Sequence, residues 1–141
     1  MREAKRIPVD NLLGKTIADR EKPSISFYVD SKLEKELSDI LKDSSFLKKF
    51  RRVVAAILGG IYTNDIYGKE SFSDETKDIW AIKITVRENN YRIYCKEFFN
   101  DHGKNIVMTH LLKKKCQKND KRIRTILEKI GGYNYEWINN E

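Results

Sequence analysis

Basic side chains are concentrated near the end of the chain, within the segment 113–124. This segment contains Lys113, Lys114, Lys115, Lys118, Lys121, Arg122 and Arg124. One carboxylate, that of Asp120, accompanies these seven cations, so the segment carries +6 of the net charge of +7 of the whole chain. Such a local excess is typical of a surface that binds a phosphate-rich partner, although lysine runs also occur on solvated helix faces.

More basic side chains recur along a predicted β-hairpin. Residues 80–86 and 91–99 alternate between apolar and polar side chains, as half-buried strands do. Asn89 and Asn90 between them tolerate the positive φ that a two-residue turn requires. With this turn the apolar residues share an inner face, and a slip of one residue would mix the two faces. The outer face then collects Lys83, Arg87, Arg92, Tyr94 and Lys96.

The predicted register places like charges opposite one another, Arg87 with Arg92 and Lys83 with Lys96. Like charges directly across strands destabilise a sheet, so this arrangement favours a bound anion. The alternative is that these side chains extend into water and pair with the acidic helix around Glu34. A surface ion pair contributes only ~0–1 kcal/mol, so charge alone does not decide between the two interpretations.

Other polar side chains in this half of the chain have structural explanations. Glu97 would point inward opposite Ile82, which predicts a bulge or a strand end at this position. His110 shares its alternation with Ile106, so a hydrogen-bonded core position is favoured over a catalytic one. His102 lies in a predicted turn and therefore on the surface. A ribonuclease that uses paired histidines is not indicated.

Periodicity and turn residues define the elements that position these side chains. The predicted elements are a strand at 24–29, helices at 32–42 and 46–58, a surface loop at 61–77, the β-hairpin, a third strand at 105–112 and a helix at 119–130. The predicted fold is therefore α+β, with an N-terminal helical hairpin packed on a small antiparallel sheet of three to four strands and a C-terminal helix.

The two ends of the chain extend this predicted core. Residues 1–22 are expected to form an arm with a short helix that begins at Asp10, and residues 23–141 form a single domain. Tyr135 and Trp137 belong to an aromatic tail. Their rings can stack on RNA bases, but packing against the domain is favoured.

Composition excludes several classes of protein. A chain of 141 residues with 40% hydrophobic content fits one domain, and it has no stretch apolar enough for a signal peptide or a membrane span. Cys95 and Cys116 form neither a disulfide framework nor a zinc-ligand spacing, which favours a reducing compartment and hence the cytoplasm. No metal or cofactor is expected, and the motifs of a P-loop and of a Ser-His-Asp triad are absent.

Three short motifs follow one another in the second half of the chain. Trp80–Lys83 stands where a W-E-L-R-like strand would, and Tyr91–Tyr94 fills a Y-R-hydrophobic-aromatic strand. Thr109–Asp120 is similar to an L-L-H-x-F-x-K-K-T-Q-K-T-P-like segment, with its K-K-x-Q-K core at Lys114, Lys115, Gln117 and Lys118. In this order the motifs resemble the RelE/ParE superfamily of bacterial toxins, most closely its HigB-like, phage-associated branch.

The chain departs from this family pattern in several places. Ala81 stands where the family often has Glu, Lys83 where it often has Arg, and Asp120 where it has Pro. The resemblance covers residues 24–130 and implies a RelE/ParE-like toxin domain. It also implies the toxin of a type II toxin-antitoxin system, an mRNA endoribonuclease that acts with the ribosome and is held inactive by a cognate antitoxin protein.

Metal-independent RNA cleavage by the ribose 2′-OH needs a base, cations at the phosphate and a proton donor for the leaving oxygen. Under the resemblance, Lys114 or Lys83 is the candidate base or acid, because neighbouring positive charges disfavour protonation of a lysine. Arg92 would stabilise the transition state, and Tyr94 would orient the 2′-OH or stack a base. The expected phosphate-binding residues are Arg87, Lys96, Lys113, Lys115, Lys118 and Arg122.

Two other functions stay open at this point. The first is a non-catalytic ParE-like protein that inhibits DNA gyrase. The second is an RNA-binding protein that has lost cleavage, which would bind RNA with a steep salt dependence and leave it intact.

Overall fold

Seven strands form one mixed sheet in the computed structural model of the protein, which describes residues 1–16, 24–114 and 121–139. The strands are β1 (Arg2–Ile7), β2 (Ile25–Asp30), β3 (Tyr67–Lys69), β4 (Ile79–Val86), β5 (Asn89–Asn100), β6 (Gly103–Lys114) and β7 (Tyr135–Ile138). Their order across the sheet is β3-β4-β5-β6-β2-β1-β7, with parallel pairing of β2 to β6 and of β1 to β7. The predicted fold, an N-terminal helical hairpin packed on a small antiparallel sheet of three to four strands, is therefore wrong.

Helices cover both faces of this sheet. They are α1 (Val9–Leu13), α2 (Glu34–Ile40), α3 (Ser44–Gly59) and α4 (Lys121–Gly131), with a short 3₁₀ helix at Asp74–Thr76. Phe46 and Phe50 of α3 pack in one buried cluster with Ile82 of β4. Leu127 of α4 packs in another cluster with Ala81, the neighbour of Ile82 in the chain. Because successive strand residues point to opposite faces, we call these two sides the α3 face and the α4 face.

The long helix α3 begins and ends where its capping residues are. The carboxylate of Asp43 accepts hydrogen bonds from the backbone N–H groups of Ser45 and Phe46, at 2.9 and 3.2 Å. These bonds satisfy two of the unpaired donors of the first turn. Gly60 ends the helix in the left-handed conformation, with φ of 69°. The apolar stripe between these caps faces the sheet and forms much of the core on the α3 face.

Residues 2–7, predicted to belong to an arm, form the strand β1 between β2 and β7. Ala4 of this strand is fully buried. Arg2 Nε lies 2.6 Å from the buried carboxylate of Asp30, and the hydroxyl of Tyr135 donates to the same oxygen atom at 2.8 Å. The arm prediction failed because the charges of this segment resemble those of a solvated chain, whereas their partners lie far away in the sequence.

The hairpin of β4 and β5 turns at Arg87 and Glu88, and not at Asn89 and Asn90 as predicted. Both turn residues have positive φ, 48° and 69°, as the tight turns that join right-twisted strands require. Arg87 forms an ion pair with Asp43 at the start of α3. The register moves by an even number of residues, so the side chains that stay in the strands keep their predicted faces, whereas Arg87 moves into the turn. Alternation alone therefore could not distinguish the two registers.

Glu97 points inward as predicted, but the strand continues past it to Asn100. The hydroxyl of Tyr67 donates to the Glu97 carboxylate at 2.7 Å, and Lys104 Nζ lies 3.4 Å away. Tyr67 belongs to β3, which lies inside the region predicted to be a surface loop. The prediction of a bulge or strand end at Glu97 is wrong.

The irregularity lies instead in β6 at Thr109, where the pairing with β5 shifts between Tyr94 and Cys95. Thr109 Oγ1 donates to the carbonyl oxygen of Tyr94 at 2.7 Å. This extra residue reverses the alternation along β6. His110 therefore lies on the α4 face, while Met108 lies on the α3 face, contrary to the prediction that His110 shares a face with Ile106.

The aromatic tail packs against the sheet, as predicted. The ring of Trp137 lies in edge contact with those of Tyr28 and Phe98, with centroid distances of 4.8 and 5.2 Å. Tyr135 joins a buried cluster with Ala4. The tail thus completes the core on the α4 face next to β1.

Candidate functional site

Three basic side chains from adjacent strands lie together at one end of the α4 face. Lys83 of β4 is the direct cross-strand partner of Arg92 of β5. On its other side Arg92 pairs with Leu112 of β6, and Lys114 lies two residues further along β6 on the same face, opposite Asn90. Direct cross-strand partners have Cβ atoms about 5 Å apart, and diagonal neighbours about 7–8 Å. The register therefore brings together three of the four predicted catalytic residues.

Arg92 keeps unused hydrogen-bonding capacity at this position. Its side chain is half-buried, and one Nη atom lies 3.3 Å from the carbonyl oxygen of Tyr91. Its Nε is buried and has no hydrogen-bond partner among residues 1–16, 24–114 and 121–139. A buried donor without a partner is costly, and an anion reaches this Nε only if the side chain moves.

Within the described parts of the chain, no carboxylate lies within ion-pair distance of Lys83, Arg92 or Lys114. The three side chains thus share a face without a described counterion, and the Lys83 ammonium group lies beside Gly68 of β3, on the side of β4 away from Arg92. A sheet tolerates this arrangement when water or a mobile anion screens the charges, because like charges across strands repel. The site is chemically suited to an anion with several oxygen atoms.

The helix α4 forms one side of this site. Leu112, the cross-strand partner of Arg92, packs against the cluster that Ile123, Leu127 and Ile130 of α4 form with β4 and β5. The helix thus covers the part of the α4 face that adjoins Arg92. Arg122, predicted to bind phosphate, is exposed on the first turn of α4.

Tyr94, predicted to orient the 2′-OH or stack a base, does not lie in an accessible site. It is only 1% exposed and packs in the cluster under α4. The sequence placed Tyr94 correctly on the face of Arg92, but the helix that covers this face had been assigned no position on the sheet. Burial excludes direct contact of this side chain with RNA.

Two predicted phosphate ligands are occupied by contacts within the protein. Lys96 Nζ donates to the carbonyl oxygens of Gly131 and Tyr133, both at 2.9 Å, and so ties the end of α4 to β5. Burial lowers the pKa of Lys96, against a smaller opposing effect of Asp78. Arg87 lies in the hairpin turn and pairs with Asp43. Neither side chain joins the group of Lys83, Arg92 and Lys114.

The other predicted phosphate ligands are distributed differently. Lys113 is exposed and pairs with Tyr91, so it lies on the α3 face, opposite to the site. Lys115 and Lys118 lie outside the described residues. Among the described members of the predicted phosphate-binding set, Arg122 alone is on the α4 side and exposed.

His110 has a structural contact, as predicted. Its Nε2 lies 3.0 Å from the hydroxyl oxygen of Tyr133. Burial lowers its pKa, and the positive charge of Arg2 adds to this effect. His110 is therefore neutral near pH 7, and its ring packs against Tyr133.

A second basic cleft, which sequence reasoning missed, adjoins Lys83 at the edge of β4. Its volume is about 280 Å³, and its polar lining includes Lys49 and Arg52 of α3 together with Asp65. Lys83 also lines this cleft, so it connects the cleft to the site on the α4 face. Lys49 and Arg52 are three residues apart on the polar side of α3. Residues at this spacing are neighbours on a helix surface, so the sequence alone could have predicted that the two side chains lie together.

Comparison of the chain with protein-family models, with curated proteins and with solved structures finds no match. The assignment to the RelE/ParE superfamily thus has no support from relatives. In the described ranges, no helix has the length and apolar character needed to cross a membrane. The same ranges contain no cluster of three or more His, Cys, Asp or Glu side chains that could hold a metal ion.

Proposed function

We propose that this protein binds RNA through the phosphates, at the site formed by Lys83, Arg92 and Lys114. The observation that carries the proposal is the direct pairing of Lys83 with Arg92, whose buried Nε has no described partner. Arginine binds phosphate oxygens through two parallel N–H donors, and flanking lysines add positive charge without demanding one geometry. The strand register fixes the backbone positions of the three cations relative to one another.

The cleft at the β4 edge extends the proposed binding surface. Because Lys83 lines both places, a strand whose phosphate lies at Arg92 can continue toward Arg52. The net charge of +7 favours approach of any polyanion to the protein. A path along several cations suits a flexible single strand better than a rigid duplex.

Binding is better supported than cleavage. Tyr94 is buried, and His110 Nε2 contacts the hydroxyl of Tyr133. Lys83 and Lys114 are the predicted acid and base candidates that lie in the site. The endoribonuclease activity, the antitoxin, the ribosome, the gyrase-inhibitor alternative and a cytoplasmic location stay predictions, and no contact in the described residues favours one of them.

The proposal is tested by fluorescence anisotropy with a labelled single-stranded RNA. Arg92→Ala, Lys83→Ala and Lys114→Ala are compared with Lys35→Ala, which removes the same charge from the exposed side of α2 on the other face. Hydrogen bonds to charged groups contribute roughly 1.5–3 kcal/mol, so Arg92→Ala should weaken binding roughly tenfold or more. Lys35→Ala should change the affinity less than about twofold. If all four variants lost the same RNA affinity, the loss would come from the lower net charge of the protein. That result would contradict a binding site at Lys83, Arg92 and Lys114.

The same RNA, incubated with the protein in chelator and analysed on a gel, distinguishes binding from cleavage. Intact RNA with the wild-type protein agrees with our proposal. Cleavage that disappears in Lys114→Ala would show that the predicted endoribonuclease activity is present. Inhibition of gyrase supercoiling without RNA binding would favour the ParE-like alternative instead.

A further inference from the structure

A cavity of about 440 Å³ opens on the α3 face, where α1, α2 and α3 meet β1 and β2. Its apolar wall consists of Ile7, Val29, Leu37, Leu41 and Leu47. Pockets of about 300–1,000 Å³ with an apolar lining and a few polar groups are typical of small-molecule sites. Five elements contribute to the lining of the cavity as a whole, so the cavity is part of the architecture and not a gap at one loop.

Arg51 of α3 is the notable polar residue of the cavity. Its side chain is half-buried, and its Nε is buried without a hydrogen-bond partner in the described ranges. The guanidinium lies against Gly14, where a Cβ atom would stand 2.6 Å from the Arg51 Cζ. The absence of a side chain at Gly14 therefore allows Arg51 to occupy this position.

The other charges at the cavity have partners. Glu34 accepts from Lys5 Nζ at 3.0 Å, and Lys42 lies 3.4 Å from Asp39. No ion pair of Arg51 occurs in the described parts of the chain. The cavity thus combines an apolar wall with one cation that lacks a described counterion.

We propose that this cavity binds a small amphipathic monocarboxylate, such as a medium-chain fatty acid. The carboxylate would accept two parallel hydrogen bonds from the two Nη atoms of the Arg51 guanidinium, as arginine and carboxylate groups commonly do. The hydrocarbon chain would lie along Leu37, Leu41 and Leu47. This site is on the opposite face from the RNA site and does not depend on it.

The first test compares decanoate with decanol, which has the same chain length and no carboxylate. Binding is followed by chemical-shift changes in the isotope-labelled wild-type protein, at concentrations where neither compound self-associates. Decanoate should shift the signals of Leu37, Ser38 and Leu41 and should bind roughly tenfold or more tightly than decanol. Absence of decanoate binding, or equal binding of the two compounds, would overturn the proposal.

Variants then test the role of Arg51. Arg51→Met should lower decanoate affinity to the level of decanol, and Arg92→Ala on the other face should leave it unchanged. Gly14→Ala should displace the guanidinium and weaken decanoate binding. Its matched control is Gly60→Ala, which has the same positive φ, +69° against +71°, and has no atom within 4 Å of the new Cβ. Equal decanoate affinity of Gly14→Ala and Gly60→Ala, or of Arg51→Met and the wild type, would contradict the proposal.

Discussion

Asp30 is a fully buried carboxylate with several partners, and it is the residue that attaches both ends of the chain to the sheet. It accepts hydrogen bonds from Arg2 Nε, from the Tyr135 hydroxyl and from the Lys32 backbone N–H. Burial by itself raises the pKa of Asp30. The bonds from Arg2, Lys32 and Tyr135 and the charge of Arg2 outweigh burial, so the pKa lies below its ordinary value. The carboxylate is therefore stabilised in its charged form.

Asp30→Asn should lower the free energy of unfolding by roughly 3 kcal/mol at pH 7, because it leaves Arg2 without its buried partner. A carboxylate whose pKa is lower in the folded state contributes stability above its unfolded pKa of about 3.9 and loses it as pH falls through the folded pKa. The difference between wild type and variant should therefore be constant above about pH 5 and shrink below about pH 4. Urea unfolding of both proteins across this pH range measures the difference in unfolding free energy.

The exposed Asp39→Asn serves as the control for this comparison, since Asp39 makes only a surface pair with Lys42. Its unfolding free energy should stay close to that of the wild type at each pH. A difference for Asp30→Asn that stays constant down to pH 3 would contradict the role assigned to the Asp30 carboxylate.

At the scale of elements, α4 determines which residues of the α4 face are accessible. The helix buries Tyr94. It leaves uncovered the neighbouring cross-strand pair of Lys83 and Arg92. Leu127 anchors the helix, since its side chain is completely buried in the same cluster. The placement of α4 thus decides which of the predicted catalytic residues can meet a ligand.

Leu127→Ala should lower the free energy of unfolding by about 2–5 kcal/mol, as cavity-forming substitutions in cores do. Glu128→Ala, at the exposed neighbouring position of α4, should change it by less than about 0.5 kcal/mol. Chemical denaturation of both variants measures the difference. Equal effects of the two substitutions would show that α4 does not pack on the sheet as described.

Sequence patterns predicted strands with strong local alternation and missed those whose stability depends on distant partners. The residues of β4 and β5 alternate clearly, and their faces were predicted correctly even though the turn was misplaced. The segment of β1 has few apolar residues, and Tyr67 of β3 lies among turn-forming residues. Polar side chains of these two strands contact the buried carboxylates of Asp30 and Glu97, which are remote in the chain. A short stretch of sequence around β1 or β3 therefore does not contain the interaction that stabilises the strand.

The candidate site was predictable to the extent that it depends on alternation. Lys83 and Arg92 share a face under either hairpin register. Lys114 was not placed by alternation, because the predicted strand ended at 112 and the extra residue at Thr109 is what brings Lys114 to the face of Arg92. Tyr94 was misjudged because the position of α4 is a tertiary property. Arg51 and its cavity were missed because five separate elements are needed to form it.

For the whole molecule, RNA binding should depend on salt in proportion to the phosphates that the protein contacts. For a single strand each contact contributes a slope of about −0.7 in a plot of log binding constant against log salt concentration. Three contacts predict a slope of about −2 for the wild type, and Arg92→Ala should reduce its magnitude by about 0.7. Anisotropy titrations at several salt concentrations measure the slopes. An unchanged slope in Arg92→Ala, with Lys35→Ala as control, would exclude a phosphate contact at Arg92.

Removal of residues 1–8 should prevent cooperative folding, although these residues have the composition of a solvated arm. The deletion would leave β2 and β7 without the strand between them and Asp30 without Arg2. Thermal unfolding followed by circular dichroism should show no sharp transition. Removal of the exposed Met1 alone should have little effect. A sharp transition in the shorter chain, near the temperature of the full chain, would contradict the internal role of β1.

The parallel pairing of β1 with β7 joins segments from nearly opposite ends of the described chain. Because β1 precedes β7 in the chain, the ribosome makes β1 before its partner Tyr135–Ile138. One backbone edge of β1 therefore lacks its native partner until β7 has been made, and an unpaired strand edge can pair with strands of neighbouring chains. Arg2, Lys5 and Arg6 place three positive charges on β1, and charged side chains on an unpaired strand oppose its pairing with other chains.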